Sequence, residues 1–222
     1  MDQQRSYINI HTHHVSADHG VYVFNNRFGH DSPYYTDSLF SIGVHPWDAG
    51  SVGPDFIHAL EALVIHPHCL AVGECGLDKL KGPSLDVQQQ VFEQQLRLAV
   101  AHRKPVIIHC VKAFDELMEL TKPYIKQVPL IIHGFHKSSH MAAQLIAKGF
   151  YLSLNPALLQ REDFDFGQIP HQRFFLETDM LDNGTIKHIY ETAALKFKMS
   201  PEELTEKINL NFIALKNDIN GY

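Results

Sequence analysis

No apolar run in the 222-residue chain approaches the ~18 residues needed to cross a bilayer, so no transmembrane helix is expected. The opening stretch, MDQQRSYINI, lacks the basic patch and apolar core of a signal peptide. Cysteine is scarce. Cys69, Cys75 and Cys110 form an odd set with no paired spacing, which argues against a disulfide framework. An excess of basic residues is also missing: 19 Lys and Arg face 25 Asp and Glu, for a formal charge of −6. Such a chain has no global pull toward nucleic acid, and any anionic ligand must be gripped by a local patch. Low-complexity segments, linkers and internal repeats are absent. With 45% hydrophobic residues, the expectation is one soluble, cytoplasmic domain over 1–222 with a sizeable core. No membrane partner is expected, and a monomer is favoured.

Histidine, by contrast, is abundant, at 16 residues. It is the commonest metal ligand, so its placement matters. Residues 8–14, INIHTHH, put His11 and His13 two apart. On a strand, both imidazoles then aim at one point, and His14 faces elsewhere or lies past the strand end.

Short runs rich in Val, Ile, Leu and Phe recur at 7–13, 21–26, 39–46, 69–78, 105–110, 130–135, 150–155 and 174–179. They read as strands buried on both faces. Between and after them, amphipathic segments at 86–103, 138–149, 185–197 and 200–216 read as helices. Ser138 and Gly149 mark the ends of the second. Ser200, Pro201 and Glu203 form a capping box at the start of the last. Strand–helix alternation implies a parallel sheet, and eight strands favour a closed (β/α)8 TIM-type barrel over an open sheet. Residues 14–20 leave too little chain for a helix between the first two runs. Either the first βα unit is abbreviated or the second run is not a strand.

The strand ends share a chemistry. The first carries His11 and His13, the third ends at His45, and the fourth carries Glu74. His109, His133 and Asp179 end the fifth, sixth and eighth. In a parallel barrel these residues converge on the C-terminal face, where active sites sit. A buried set of histidines and carboxylates is costly unless paired or bound to metal. Nitrogen and oxygen donors without cysteine suit Zn, Mn, Fe or Mg. Even with His45 set aside, four histidines with two carboxylates exceed the needs of one tetrahedral ion, and two ions bridged by a carboxylate would use those six. Cys75 and Cys110 adjoin this set but read as packed strand residues rather than thiolate nucleophiles. GECGLD lacks the spacing of a phosphate-cradling loop.

Lys79, Lys81, Lys112 and Lys137 follow the ligand strands and form a local positive rim suited to phosphate. Trp47, beside His45, and Phe135, beside His136, offer rings that can stack on bases. His45, Trp47, Lys79, Lys112, Phe135 and Lys137 are therefore the candidate substrate contacts.

The motifs HTH (11–13), GVHPWD (43–48), VGECGLD (72–78), PVIIHC (105–110), IIHGF (131–135) and LETD (176–179) occur in one order. In that order the sequence resembles the TatD-type metal-dependent deoxyribonucleases, a branch of the amidohydrolase-like barrels. The resemblance implies hydrolysis of DNA phosphodiesters with two divalent ions (Zn, Mg or Mn), acting from a 3′ end. Carried over by position, it places His11 and His13 on one ion, Glu74 as a bridge, and His109 and His133 on the second. Asp179 becomes a ligand or the general base, so Glu74 and Asp179 are the catalytic carboxylates. Three positions depart from the family pattern: Asn9 stands for its usual Asp, Val111 for an Arg (with Lys112 next to it), and Lys137 for a Gly. Two other readings stay open on the same centre: an amidohydrolase-type enzyme cutting C–N or lactone bonds, and an inactive barrel that binds a partner.

Overall fold

The computed structural model describes residues 6–14, 20–30 and 38–220. Eight strands form one parallel sheet in chain order: β1 (Ile8–Thr12), β2 (Val21–Arg27), β3 (Phe40–Gly43), β4 (Cys69–Asp78), β5 (Val106–Val111), β6 (Leu130–Phe135), β7 (Tyr151–Leu154) and β8 (Phe174–Leu176). Six helices accompany them: α1 (Phe56–Val64), α2 (Leu85–Ala101), α3 (Phe114–Thr121), α4 (Ser139–Lys148), α5 (Ile186–Phe197) and α6 (Pro201–Asn220). The eight strand runs and four helix segments of the sequence all appear. The short helices α1 and α3 are additional. No described helix is long and apolar enough to cross a membrane.

The sheet curls until its last strand meets its first. The Asp179 N–H donates to His11 O and the His13 N–H to Asp179 O, both at 3.1 Å. This bridge, just past the end of β8, closes a nearly complete barrel.

The second run is a strand, with Ile8 opposite Val21. The first βα unit is therefore the abbreviated one. Part of the connection, 15–19, lies outside the described residues. Its length still suffices: β1 rises about 17 Å, and the eight residues between the strands reach about 26 Å. Cover for β1 comes from the far end of the chain. Tyr190 of α5 is fully buried, and its hydroxyl donates to Ile8 O (2.9 Å) and accepts from Ile8 N (3.0 Å). Helix α6 lies against both β1 and β8, and Asn209 on it donates to Ser6 O.

The helix ends follow their sequence signals. Ser138 Oγ accepts from Met141 N, and Gly149 ends α4 in the left-handed region at φ 109°. The capping box of α6 is reciprocal: Ser200 N donates to Glu203 Oε2 and Glu203 N to Ser200 Oγ.

Candidate metal centre

Strand β4 is buried along its whole length and presses close to β5. A Cβ on Gly76 would lie 2.1 Å from His109 O, and one on Gly73 would lie 2.4 Å from Ile107 O. Only glycine permits that approach. It brings Glu74, between the two, up against the histidines of neighbouring strands.

Glu74 is the hub. Its Oε1 lies 2.7 Å from His109 Nδ1, 2.8 Å from His133 Nε2 and 3.2 Å from His45 Nε2. Its Oε2 accepts from Asn25 Nδ2 at 3.2 Å and faces His11 Nε2 at 3.6 Å and His13 Nε2 at 3.9 Å. Asn25 Oδ1 also receives the Glu74 N–H. Asp179, with a left-handed backbone (φ 53°) that Asp tolerates, sets Oδ1 3.5 Å from His13 Nε2 and 3.7 Å from His11 Nε2. All six ligand candidates from the sequence thus share one cavity floor. Overlapping sets of metal-capable atoms lie there: His11, His13 and Asp179; His11, Glu74 and His133; His45, Glu74 and His109; and His133, Glu177 and Asp179.

His11 is 0% exposed, yet neither ring nitrogen makes a hydrogen bond. A buried imidazole in that condition is anomalous in a protein interior unless it serves a ligand. Burial, aided by His133, holds its pKa well below the usual histidine value, which keeps a lone pair available. Burial also lowers His13 and His45. Glu74 goes the other way from an ordinary buried acid. Burial pushes its carboxyl up, but His133 and the hydrogen bonds from His109, His133 and His45 outweigh it and hold the carboxyl well below the usual range. Asp179 is raised, by burial first and then by the nearby Glu177 and Glu74 carboxylates.

His45, placed on the substrate rim from the sequence, sits in the cluster itself. Its Nδ1 accepts the Trp47 N–H at 3.2 Å, so Nε2 carries the proton and points it at Glu74. That tautomer makes His45 a hydrogen-bond donor to the hub. Helix α2 fixes its approach: Gln95, fully buried, accepts from Val44 N and donates to Val44 O. Two turns earlier on the same face of the helix, Gln88 accepts from Asp78 N and donates to Asp78 O.

Three residues in the site were not singled out from the sequence. Asp78 accepts from Trp47 Nε1 at 2.7 Å and lies 3.4 Å from His109 Nε2, behind the nitrogen that faces Glu74. Glu177, fully buried, accepts the Gly134 N–H and lies 3.7 Å from His133 Nδ1. Asn25 is described above. Asp78 sits an even number of residues from Glu74 on one strand, and Glu177 two before Asp179, so strand parity was the available signal. Asn9 is fully buried and pairs with Thr178, donating to its Oγ1 and accepting its N–H. It thereby steadies the residue next to Asp179. His14 lies past the strand end and reaches Met180 O.

The rim candidates scatter. Phe135 is 1% exposed and packs in the core, so its assignment as a stacking ring is corrected: in a regular strand it would share the face of His133, but Gly134 is left-handed (φ 62°) and the register of β6 slips between Ile132 and Phe135. Trp47 is 37% exposed, with Lys81 4.3 Å and Arg27 5.6 Å from its ring centre. Lys79 is paired with Glu116 at 2.6 Å. Lys112 and Lys137 lie on the loops after β5 and β6 and line a cavity there. Cys75 is fully buried, and burial pushes its thiol well up; that of Cys110 is pushed up to about 12. Neither is poised as a thiolate.

Fold and cluster together define the class: a parallel eight-stranded barrel with histidines and carboxylates gathered at the C-terminal ends of its strands. The chain belongs to the TatD related DNase family, whose model matches residues 12–217. A relative named 3′-5′ ssDNA/RNA exonuclease TatD, from Cronobacter turicensis, is 33% identical over 152 residues, which cover 65% of this chain and 58% of the relative. Its namesake from Klebsiella pneumoniae is 31% identical over 153 residues, covering 66% and 58%. The match thus spans under two thirds of the length of these curated relatives. Among solved structures, a TatD family hydrolase from Entamoeba histolytica superposes with a TM-score of 0.79 at 14% identity, covering 95% of this chain and 97% of that one. A TatD homologue from Escherichia coli K12 gives 0.76 at 18% identity with the same coverage. Both share the barrel fold.

Proposed function

We propose that this protein is a metal-dependent phosphodiesterase that shortens single-stranded DNA from a 3′ end. The observation that carries the reading is His11: fully buried, without a hydrogen bond at either nitrogen, and facing Glu74 and Asp179. The donor set fits two divalent ions of the Zn, Mg or Mn kind. His11, His13 and Asp179 would hold one, His109 and His133 the other, and Glu74 would bridge them. Ions so held neutralise phosphodiester charge and acidify a water.

The chain's own groups supply the rest. Asp179, raised by burial and by its carboxylate neighbours, is the group suited to accept a proton from the attacking water. His45 keeps a proton at Nε2 and orients Glu74. Asp78 holds His109 from behind, the arrangement by which a carboxylate fixes a ligating ring. The lysines beyond the cluster favour a phosphate ester over an amide or lactone. Strands around one continuous core support reading 1–222 as a single domain.

The test is cleavage of a 5′-labelled single-stranded oligonucleotide with chelator and with each metal. Chelator-sensitive shortening from the 3′ end, restored by Mg²⁺, Mn²⁺ or Zn²⁺, is expected. No cleavage with any metal, together with turnover of an amide or lactone, would overturn the reading.

A further inference from the structure

We propose that the cavity between the loops after β5, β6 and β7 is a second anionic subsite, which takes the phosphate next to the scissile one on a nucleic-acid strand. This rests on the phosphodiesterase reading above.

The argument begins with which rim cations are already committed. On the β2–β4 side, Lys79 is neutralised by Glu116 and Arg27 by Asp48. Lys81 is stacked over Trp47. The tryptophan's face and the charges around it are therefore engaged with one another.

The β5–β7 side is different. Among the described residues, neither Lys112 nor Lys137 has a carboxylate within ion-pair distance. Lys137 Nζ lies 3.0 Å from His136 Nε2, while His136 Nδ1 donates to Gly134 O at 2.7 Å. The nitrogen facing Lys137 is therefore an acceptor, and the ammonium charge is not cancelled. Arg161 pins this loop by donating from Nη1 to His136 O and Lys137 O, while its Nε and Nη2 are paired with Asp163. The two ammoniums border a cavity of about 520 Å³, with Arg161, Ser138 and Phe114 in its wall. In a protein of net charge −6, two uncompensated ammoniums around one hollow are a local anion trap.

Its place fixes the ligand. Lys112 is three residues past His109, so their Cα atoms are at most about 11 Å apart. Lys137 is four past His133. A strand whose scissile phosphate sits over the cluster would bring its neighbouring phosphate here. The substrate would then leave the site over β5–β7, not over Trp47.

The experiment compares a short single-stranded oligodeoxynucleotide with bis(p-nitrophenyl) phosphate, which has no second phosphate. In the Lys112→Ala/Lys137→Ala variant, the kcat/KM ratio of the oligonucleotide over the small diester should fall ~10-fold, which is about 1.4 kcal/mol for the two lost contacts together. Anisotropy titration of a labelled oligonucleotide against chelator-treated protein reads binding without turnover. There the slope of log K against log salt should become shallower by about 1.4, the value for two single-strand phosphates. Lys112→Arg/Lys137→Arg should restore both, which separates lost charge from lost folding. An unchanged ratio and slope would overturn the subsite while leaving the phosphodiesterase reading intact. If wild-type protein cuts neither substrate, that reading falls, and the titration alone decides the subsite: unchanged binding in the Ala variant refutes it.

Discussion

The floor of the site and its rim are built on different physical footings. The floor is made of strand ends, and its side chains are buried or half-buried and mostly held by one another: Glu74 by three histidines and Asn25, His109 by Glu74 and Asp78, His45 by Trp47 and Glu74. Charges there interact across little solvent, so burial holds His11 well below its ordinary pKa value, while against burial the facing histidines hold Glu74 well below its own and Glu74 holds His133 well above its own. The rim is made of loops, and its cations sit in or near water, where salt screens them within about 8 Å at physiological ionic strength. The comparison teaches that chemistry and grip are separable in this molecule. A floor change should be severe and largely indifferent to salt, whereas a rim change should be mild and salt-dependent.

The sharpest way to break that contrast is Glu74→Ala. It removes the hub of the floor, and both bound metal and turnover should be lost, with kcat down by at least ~10³. Metal analysis of the purified variant beside its rate would check this; full metal content with normal rate would dissolve the floor as a unit. Next in size is Asp179→Asn. It keeps shape but not basicity, and kcat should drop by about 10²–10⁴ with the circular dichroism spectrum unchanged. A wild-type rate would move the base elsewhere. Asp78→Asn probes the layer behind His109, and a 10–100-fold loss of metal affinity is expected, read by competition with a chromogenic chelator. Unchanged affinity would confine the floor to the groups that meet Glu74. Smallest is Lys112→Ala, whose oligonucleotide KM should rise several-fold at low salt and converge with wild type at high salt. A defect equal at both salts would place Lys112 with the floor.

The same division explains what the residues disclose on their own. Strand ends on a parallel barrel face one way by topology, so His11, His13, Glu74, His109, His133 and Asp179 could be gathered from spacing alone. The rim could not. Whether Lys79 is free depends on Glu116, which comes from α3, and whether Trp47 offers a face depends on Lys81 and Arg27. Such partners come from loops whose paths carry no periodicity. Phe135 misled because alternation from His133 suggested the mouth, while the left-handed Gly134 and the register slip in β6 break that alternation and leave the ring in the core. His45 was seen but misplaced, since only its contact with Trp47 N–H fixes which nitrogen faces Glu74. Helices α1 and α3 escaped because each is short, at 9 and 8 residues, too few for the apolar stripe to repeat. The cover of β1 by Tyr190 links residues too far apart for any local signal.

The bridge between β1 and the end of β8 has a wider consequence. Where the cylinder closes, it does so through His11, His13 and Asp179, the same residues that would grip an ion. A cation there would act as a rivet through the last joint of the assembly, tying together parts of the chain far apart in sequence. At a hundred times its dissociation constant, such a rivet adds about 2.7 kcal/mol to the folded state. The supply of metal in the cell would then govern how long each molecule survives proteolysis as well as how fast it works, and starvation for the ion would clear the protein rather than leave it idle.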